Sequence, residues 1–170
     1  MIQSFDVQLQ VALRALGEVV APALQGAEKH VAEQLHLAMA TLSFIRTRLP
    51  EARRYYRMEL LFYMELATAA AELAQPCLPA ESEDLVQIVS SGEAMLDDPE
   101  ADIADYEAIT RDLRERITQI SSHAVGTPCH EALDHMILDR GGELLMQYRQ
   151  WCAPFGLEPK PDELPAAKWL

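Results

Sequence analysis

Apolar and polar positions follow a helical period along nearly the whole chain. Val31, Leu35, Ala38, Leu42, Ile45 and Leu49 fall on one narrow stripe at about 100° per residue. Runs that alternate with period two between turn residues are missing, so strands have little support. Prolines and glycines divide the chain into about six helical blocks. The first runs from about Gln3 to Val20 and is ended or kinked near Pro22 and Gly26. The second, from about Ala27 to Arg48, carries the stripe above. Pro50 suits the first position of a third helix that continues to about Ala74. Its Leu60, Leu61, Phe62, Tyr63, Met64 and Leu66 point in nearly every direction, which marks a central, buried helix. Residues 75–80, with Pro76 and Pro79, read as a loop, and a shorter helix follows from about Ser82 to Met95. Asp98 and Pro99 form a cap-plus-proline start for a fifth helix. Ile103, Tyr106, Thr110, Leu113, Ile117, Ile120 and Ala124 line one face of that helix, and Gly126 ends it. Thr127 and Pro128 repeat the start signal for a last helix with Leu133, Met136, Ile137, Leu144, Tyr148 and Trp151 in its stripe. Gly141 and Gly142 interrupt it and mark a break or a close helix contact.

This pattern predicts an all-α fold: an up-and-down bundle of five to six helices over residues 1–153, with an extended, Pro-rich C-terminal tail over 154–170. Four of the ten prolines fall in that tail, which is expected to fold back and bury Trp169 on its own bundle or to dock on a neighbouring subunit.

Charge sharpens the picture at one place. The chain carries a net −13, which argues against nucleic acid or an anionic membrane as a partner. Yet Arg46, Arg48, Arg53, Arg54 and Arg57 lie within twelve residues. Arg46 and Arg48 sit in the last turn of the second helix, where cations complement the helix dipole by about 0.3–1 kcal/mol each. Arg53, Arg54 and Arg57 sit at the start of the third helix, where the dipole disfavours them. Glu51 is the one acid among their i±3 and i±4 neighbours. Something must compensate: acids of the same chain such as Asp97, Asp98, Glu100, Asp102 and Asp105, an acidic face on a partner protein, or a bound anion of phosphate or CoA-like character. Tyr55 and Tyr56 lie among the arginines, an Arg–Tyr pairing common at interfaces.

The remaining chemistry is thin. Cys77, Cys129 and Cys152 are odd in number and widely spaced, which fits a reducing cytosol and argues against a disulfide framework or a thiolate zinc site. The N-terminus lacks a basic region and meets Asp6 early, so a signal peptide is not expected. Leu60–Met64, the most apolar stretch, is bounded by Glu59 and Glu65 and is far too short to span a bilayer. Glu33 and His36 give one Glu-x-x-His, pointing away from the apolar stripe, where a di-iron bundle needs two. His130 and His135 are five apart and not four, so they cannot share a zinc as in a metalloprotease helix. His130 with Asp134 and Glu131 with His135 remain as i,i+4 pairs on different faces, read as ordinary side-chain pairs, with a metal at His130 and Asp134, or a three-histidine site recruiting His30 or His123, as the alternatives. Cys129 reads as a buried small residue, with a lowered thiol pKa at a helix start as the alternative. Of the acids in the third helix, Glu65 and Glu72 share a face and Glu59 does not. G-x-S-x-G and P-loop patterns are absent, and no cofactor is expected.

Val19-Val20-Ala21-Pro22-Ala23-Leu24 followed by Glu33-Gln34-Leu35-His36-Leu37-Ala38 resembles a group of small bacterial all-helical proteins of unknown function, encoded near aminoglycoside-phosphotransferase-like and acyl-CoA-dehydrogenase-like proteins. The resemblance covers about the first 45 residues and carries no catalytic residue. It implies a bacterial cytosolic protein accessory to small-molecule metabolism. The expected function is non-enzymatic: self-association as a homo-oligomer, or binding to a partner protein. Phe44 and Ala40, opposite the second helix's main stripe, and Leu138 and Leu145, off the last helix's stripe, supply the extra apolar faces. An anion bound at Arg53, Arg54, Arg57 and Tyr56 is the alternative.

Overall fold

The computed structural model describes residues 4–169, so Gln3, where the first helix is expected to begin, lies outside the described residues. Among the described residues the regular structure is entirely helical. Helices span α1 (Phe5–Ala15), α2 (Lys29–Arg48), α3 (Ala52–Ala74), α4 (Pro79–Asp97), α5 (Ile103–Ala124) and α6 (His130–Cys152). The chain divides into two compact units. One holds residues 4–51 with Tyr148–Ala167; the other holds Ala52–Gln147 with Lys168 and Trp169.

In the first unit, α1 starts at Ser4, whose Oγ accepts the Val7 N–H. The helical run ends at Ala23, near Pro22 and Gly26 as expected, with Pro22 inside its last turn. The chain passes from α1 through a π-helical turn, Leu16–Val20, into a last α-turn, Ala21–Ala23. A π-turn frees the carbonyl that a proline ring would otherwise strike, and the helix survives its proline that way. Gly26, at φ 93°, then turns the chain. Helices α1 and α2 pack together, with Leu9 and Leu13 half-buried on one and Val31, Leu35, Met39 and Leu42 half-buried on the other. Neither helix has a fully buried residue. The stripe expected to face the core is only partly covered: Ala38, Ile45 and Leu49 stand exposed along its edge.

The segment after Cys152 has two single 3-10 turns, Ala153–Phe155 and Pro161–Glu163, joined by irregular chain. Within the first unit it is held by named contacts. Arg149 makes a two-pronged ion pair with Glu158 at 3.0 and 2.9 Å. Buried Gln150 donates to the carbonyls of Pro165 and Ala166, and Phe155 meets the Phe44 ring edge-on.

The second unit contains the core. Helix α3 is buried on almost all sides, as its sequence predicts, with Leu60, Ala67, Ala70 and Ala74 fully enclosed. Helices α4 and α5 pack on it and on each other. The predicted α5 stripe is buried from Tyr106 through Thr110, Leu113, Ile117 and Ile120 to Ala124. Trp169 is 4% exposed and meets the Tyr55 ring edge-on, 5.1 Å between centroids.

Three local expectations change. Pro79 is the first residue of α4 and not part of the loop, because proline suits that position. The cap of α5 is Asp102, which with Asp105 forms a reciprocal capping box; Asp98 instead accepts the Glu100 N–H in the preceding turn. The cysteine reading is overturned: Cys77 and Cys129 form a disulfide across 52 residues of sequence, with Cα atoms 6.4 Å apart. Cys77 follows α3 and Cys129 precedes α6, so packing brings together two loops whose sequence spacing shows nothing.

Gly141 and Gly142 neither break α6 nor sit at a close contact. The helix runs through both, and a Cβ built at either meets nothing within 4 Å. Gly142→Ala is therefore expected to raise the free energy of unfolding by about 1 kcal/mol through helix propensity. Urea melts of the two proteins check this, and an unchanged or lowered midpoint contradicts it. The close approach is elsewhere. A Cβ at Gly92 of α4 would come within 2.8 Å of the Met64 sulfur of α3.

Candidate functional site

The arginine cluster separates into individually accounted side chains. Arg46 pairs with Asp6, Nε to Oδ1 at 2.6 Å. The pair holds the Asp6 carboxyl below its ordinary value, chiefly by that hydrogen bond. Arg48 pairs with Glu51 at 2.7 Å, donates to the Trp151 carbonyl at 2.9 Å, and lies over the Trp151 ring at 5.1 Å. It thus binds the carbonyl end of α6 as well as complementing its own helix dipole. Arg53 finds its compensation in backbone. Its Nη2 donates to the carbonyls of Ala101, at 3.0 Å, and Pro99, at 3.3 Å. The acidic segment 97–105 is therefore the partner, through its peptide oxygens and not its carboxylates. Arg54 and Arg57 are exposed and make no hydrogen bond or ion pair among the described residues.

Tyr56 turns away from that patch. Its hydroxyl is raised above the ordinary phenol value of about 10, first by burial and then by the charge of Glu107, its hydrogen bond to Glu107, and the charge of Glu59. These three residues line a small polar pocket of about 200 Å³ between α3 and α5, completed by Thr110, Arg111 and Arg114. Glu59 is 8% exposed, a carboxylate within the most apolar helix. Thr110 is 5% exposed, and its Oγ1 has no hydrogen-bond partner. A buried hydroxyl left unpaired costs about 1–3 kcal/mol. Arg111 and Arg114 stand at the rim without an ion pair among the described residues, in a chain with acids to spare. Arg114 lies 5.6 Å over the Tyr63 ring.

The spacing on α5 explains this convergence. Glu107, Thr110, Arg111 and Arg114 recur at i, i+3, i+4 and i+7 and share a face. Tyr56 and Glu59 do the same on α3. Thr110 within the α5 stripe and Glu59 within the apolar α3 are the sequence signals that could have marked the pocket. Arg111 and Arg114 are the residues that sequence reasoning passes over.

The other candidates are not brought together. His130 Nδ1 lies 3.6 Å from Asp134 Oδ2, beyond hydrogen-bonding distance, and is otherwise unpartnered. Asp134 accepts a long 3.5 Å bond from Ser121. Among the described residues no three His, Cys, Asp or Glu side chains converge as metal ligands. Glu33 pairs with Lys29 and His30 with Glu28, on exposed surface. His123 faces Glu81. Glu65 pairs with Arg140 at 2.6 Å, while Cys129 is committed to its disulfide.

Two larger, open cavities lie elsewhere. One of about 460 Å³ runs between α3 and α4, where Ser82 is satisfied by the Ala71 carbonyl. The other, about 530 Å³, lies in the first unit and is lined by Phe44, Phe155, Leu157 and the free thiol of Cys152. Among the described residues no helix is long and apolar enough to cross a membrane. No protein-family model, curated protein or solved structure matches the chain.

Proposed function

We propose that the protein works by self-association, with a second copy docking on the exposed edge of α2 at Ala38, Ile45 and Leu49. The observation that carries this reading is the half-covered apolar stripe of α2. Ile45 is 41% and Leu49 44% exposed on a helix whose periodicity calls for burial. Charge supports a second copy as the occupant. Residues 4–51 hold five acids against four bases, a net −1, so nearly all of the chain's −13 lies elsewhere. An acidic chain meets its own copy with least repulsion through its least charged surface. Helices of this length, about 30 Å, side by side give a face of roughly 600 Å² per copy, at the lower bound for specific interfaces.

Sedimentation velocity over a wide concentration range tests this. The wild type is expected to dimerise, and Ile45→Glu/Leu49→Glu to run as a monomer with an unchanged helical circular-dichroism spectrum. A wild type that stays monomeric at the highest concentration sinks the reading. Arg54 and Arg57, exposed and unpaired, support a second reading in which an acidic partner or an anion binds there. The up-and-down arrangement, the bacterial cytosolic setting and the accessory metabolic role belong to the same proposal. The setting and the role rest on the resemblance of residues 19–38, since the Cys77–Cys129 disulfide withdraws the support that cysteine spacing lent to a reducing compartment.

A further inference from the structure

We propose that the polar pocket between α3 and α5 binds a small zwitterion, an α-amino acid with an apolar side chain. Its lining is balanced: carboxylates of Glu59 and Glu107 against guanidiniums of Arg111 and Arg114. A simple anion would have to approach the two glutamates, and a simple cation the two arginines. A ligand carrying both charges complements both pairs. Depth assigns its orientation. Glu59 and the unpartnered Thr110 hydroxyl are buried and suit an ammonium group, which donates three hydrogen bonds. Arg111 and Arg114 stand exposed at the rim, without ion pairs, and suit a carboxylate by charge-assisted bonds.

A second cavity, also of about 200 Å³, has Arg114 as a shared wall and is lined on α3 by Phe62, Tyr63 and Leu66. Gly141 lines its far wall, where a Cβ would meet nothing within 4 Å. This apolar cavity is the place for the ligand's side chain. A few placed polar groups beside an apolar slot is the usual construction of a small-molecule site. The Tyr56 hydroxyl is hydrogen-bonded to Glu107 and holds that carboxylate in the lining.

Isothermal titration of the full chain with L-leucine and L-phenylalanine tests the proposal. Leucinamide, which lacks the carboxylate, and 4-methylpentanoate, which lacks the ammonium, serve as single-charge controls. At least one amino acid is expected to bind saturably, with both controls weaker by about tenfold or more. Arg111→Ala/Arg114→Ala changes exposed side chains and is expected to lower affinity about tenfold while leaving the melt intact. Thr110→Val, which keeps the volume and removes the unpaired hydroxyl, is expected to hold or raise stability and to weaken binding. No saturable binding of either amino acid up to about 10 mM overturns the proposal. So does binding as tight to leucinamide or to 4-methylpentanoate, or binding untouched by the double arginine change.

Discussion

Removing the Cys77–Cys129 disulfide is expected to lower the free energy of unfolding by about 4 kcal/mol. The bridge closes a loop of 52 residues, and the chain-entropy relation gives that figure for a loop of this size. The comparison is best made in a Cys152→Ser background, which removes the exposed thiol that could exchange with the bridge. Cys77→Ala/Cys129→Ala then shifts the urea midpoint down, and the m-value rises because the uncrosslinked unfolded chain exposes more surface. Cys152→Ser alone stays within about 0.5 kcal/mol. Equal midpoints with and without the bridge would show that the pair contributes nothing, or that the loops remain together without it. The same measurement in reductant says how much of the fold persists where disulfides are reduced.

Leu60→Ala is expected to cost about 2–5 kcal/mol. Leu60 is wholly enclosed in α3, with α4 and α5 both packed on that helix. Truncation removes its transfer energy and leaves a cavity that neighbours fixed on two sides cannot refill. Leu138→Ala, on a side chain 74% exposed, supplies the contrast and is expected to stay within about 0.5 kcal/mol. Urea denaturation of both variants checks the pair. A similar small loss from each would mean that α3 is not the centre of the second unit.

Legibility from sequence tracks the range of the interaction concerned. Helix α3 and the buried stripe of α5 were readable because burial there repeats with the helical period, a local property. The α5 cap was misplaced by four residues because Asp98-Pro99 and Asp102-x-x-Asp105 are both good starts, and only the second has a reciprocal partner at its third position. The α2 stripe has the right period, but period says nothing about whether a partner exists, and part of it is bare. The disulfide depends on where two loops finish, which no spacing rule encodes. The arginine patch pointed to the right physical problem at Arg53 and, in segment 97–105, to the right neighbours, but to carboxylates where backbone carbonyls, which leave no mark in a sequence, do the pairing. The polar pocket was not read from the sequence. Thr110 counted as a member of the α5 stripe and Glu59 as the acid that shares no face with Glu65 and Glu72, and only the packing of α3 on α5 sets them against Arg111 and Arg114.

The position of Trp169 has a consequence for how the chain is made. Its ring closes over Tyr55, while residues 148–167 between it and the rest of the second unit belong to the first. All the helices of the second unit up to Gln147 have been synthesised about twenty residues before this tryptophan appears. At a translation rate of about 5–20 residues per second, that is a delay of roughly one to four seconds. During this interval the Tyr55 end of the unit lacks its cover, so a nascent chain is open to other hydrophobic contacts there in a way the finished protein is not.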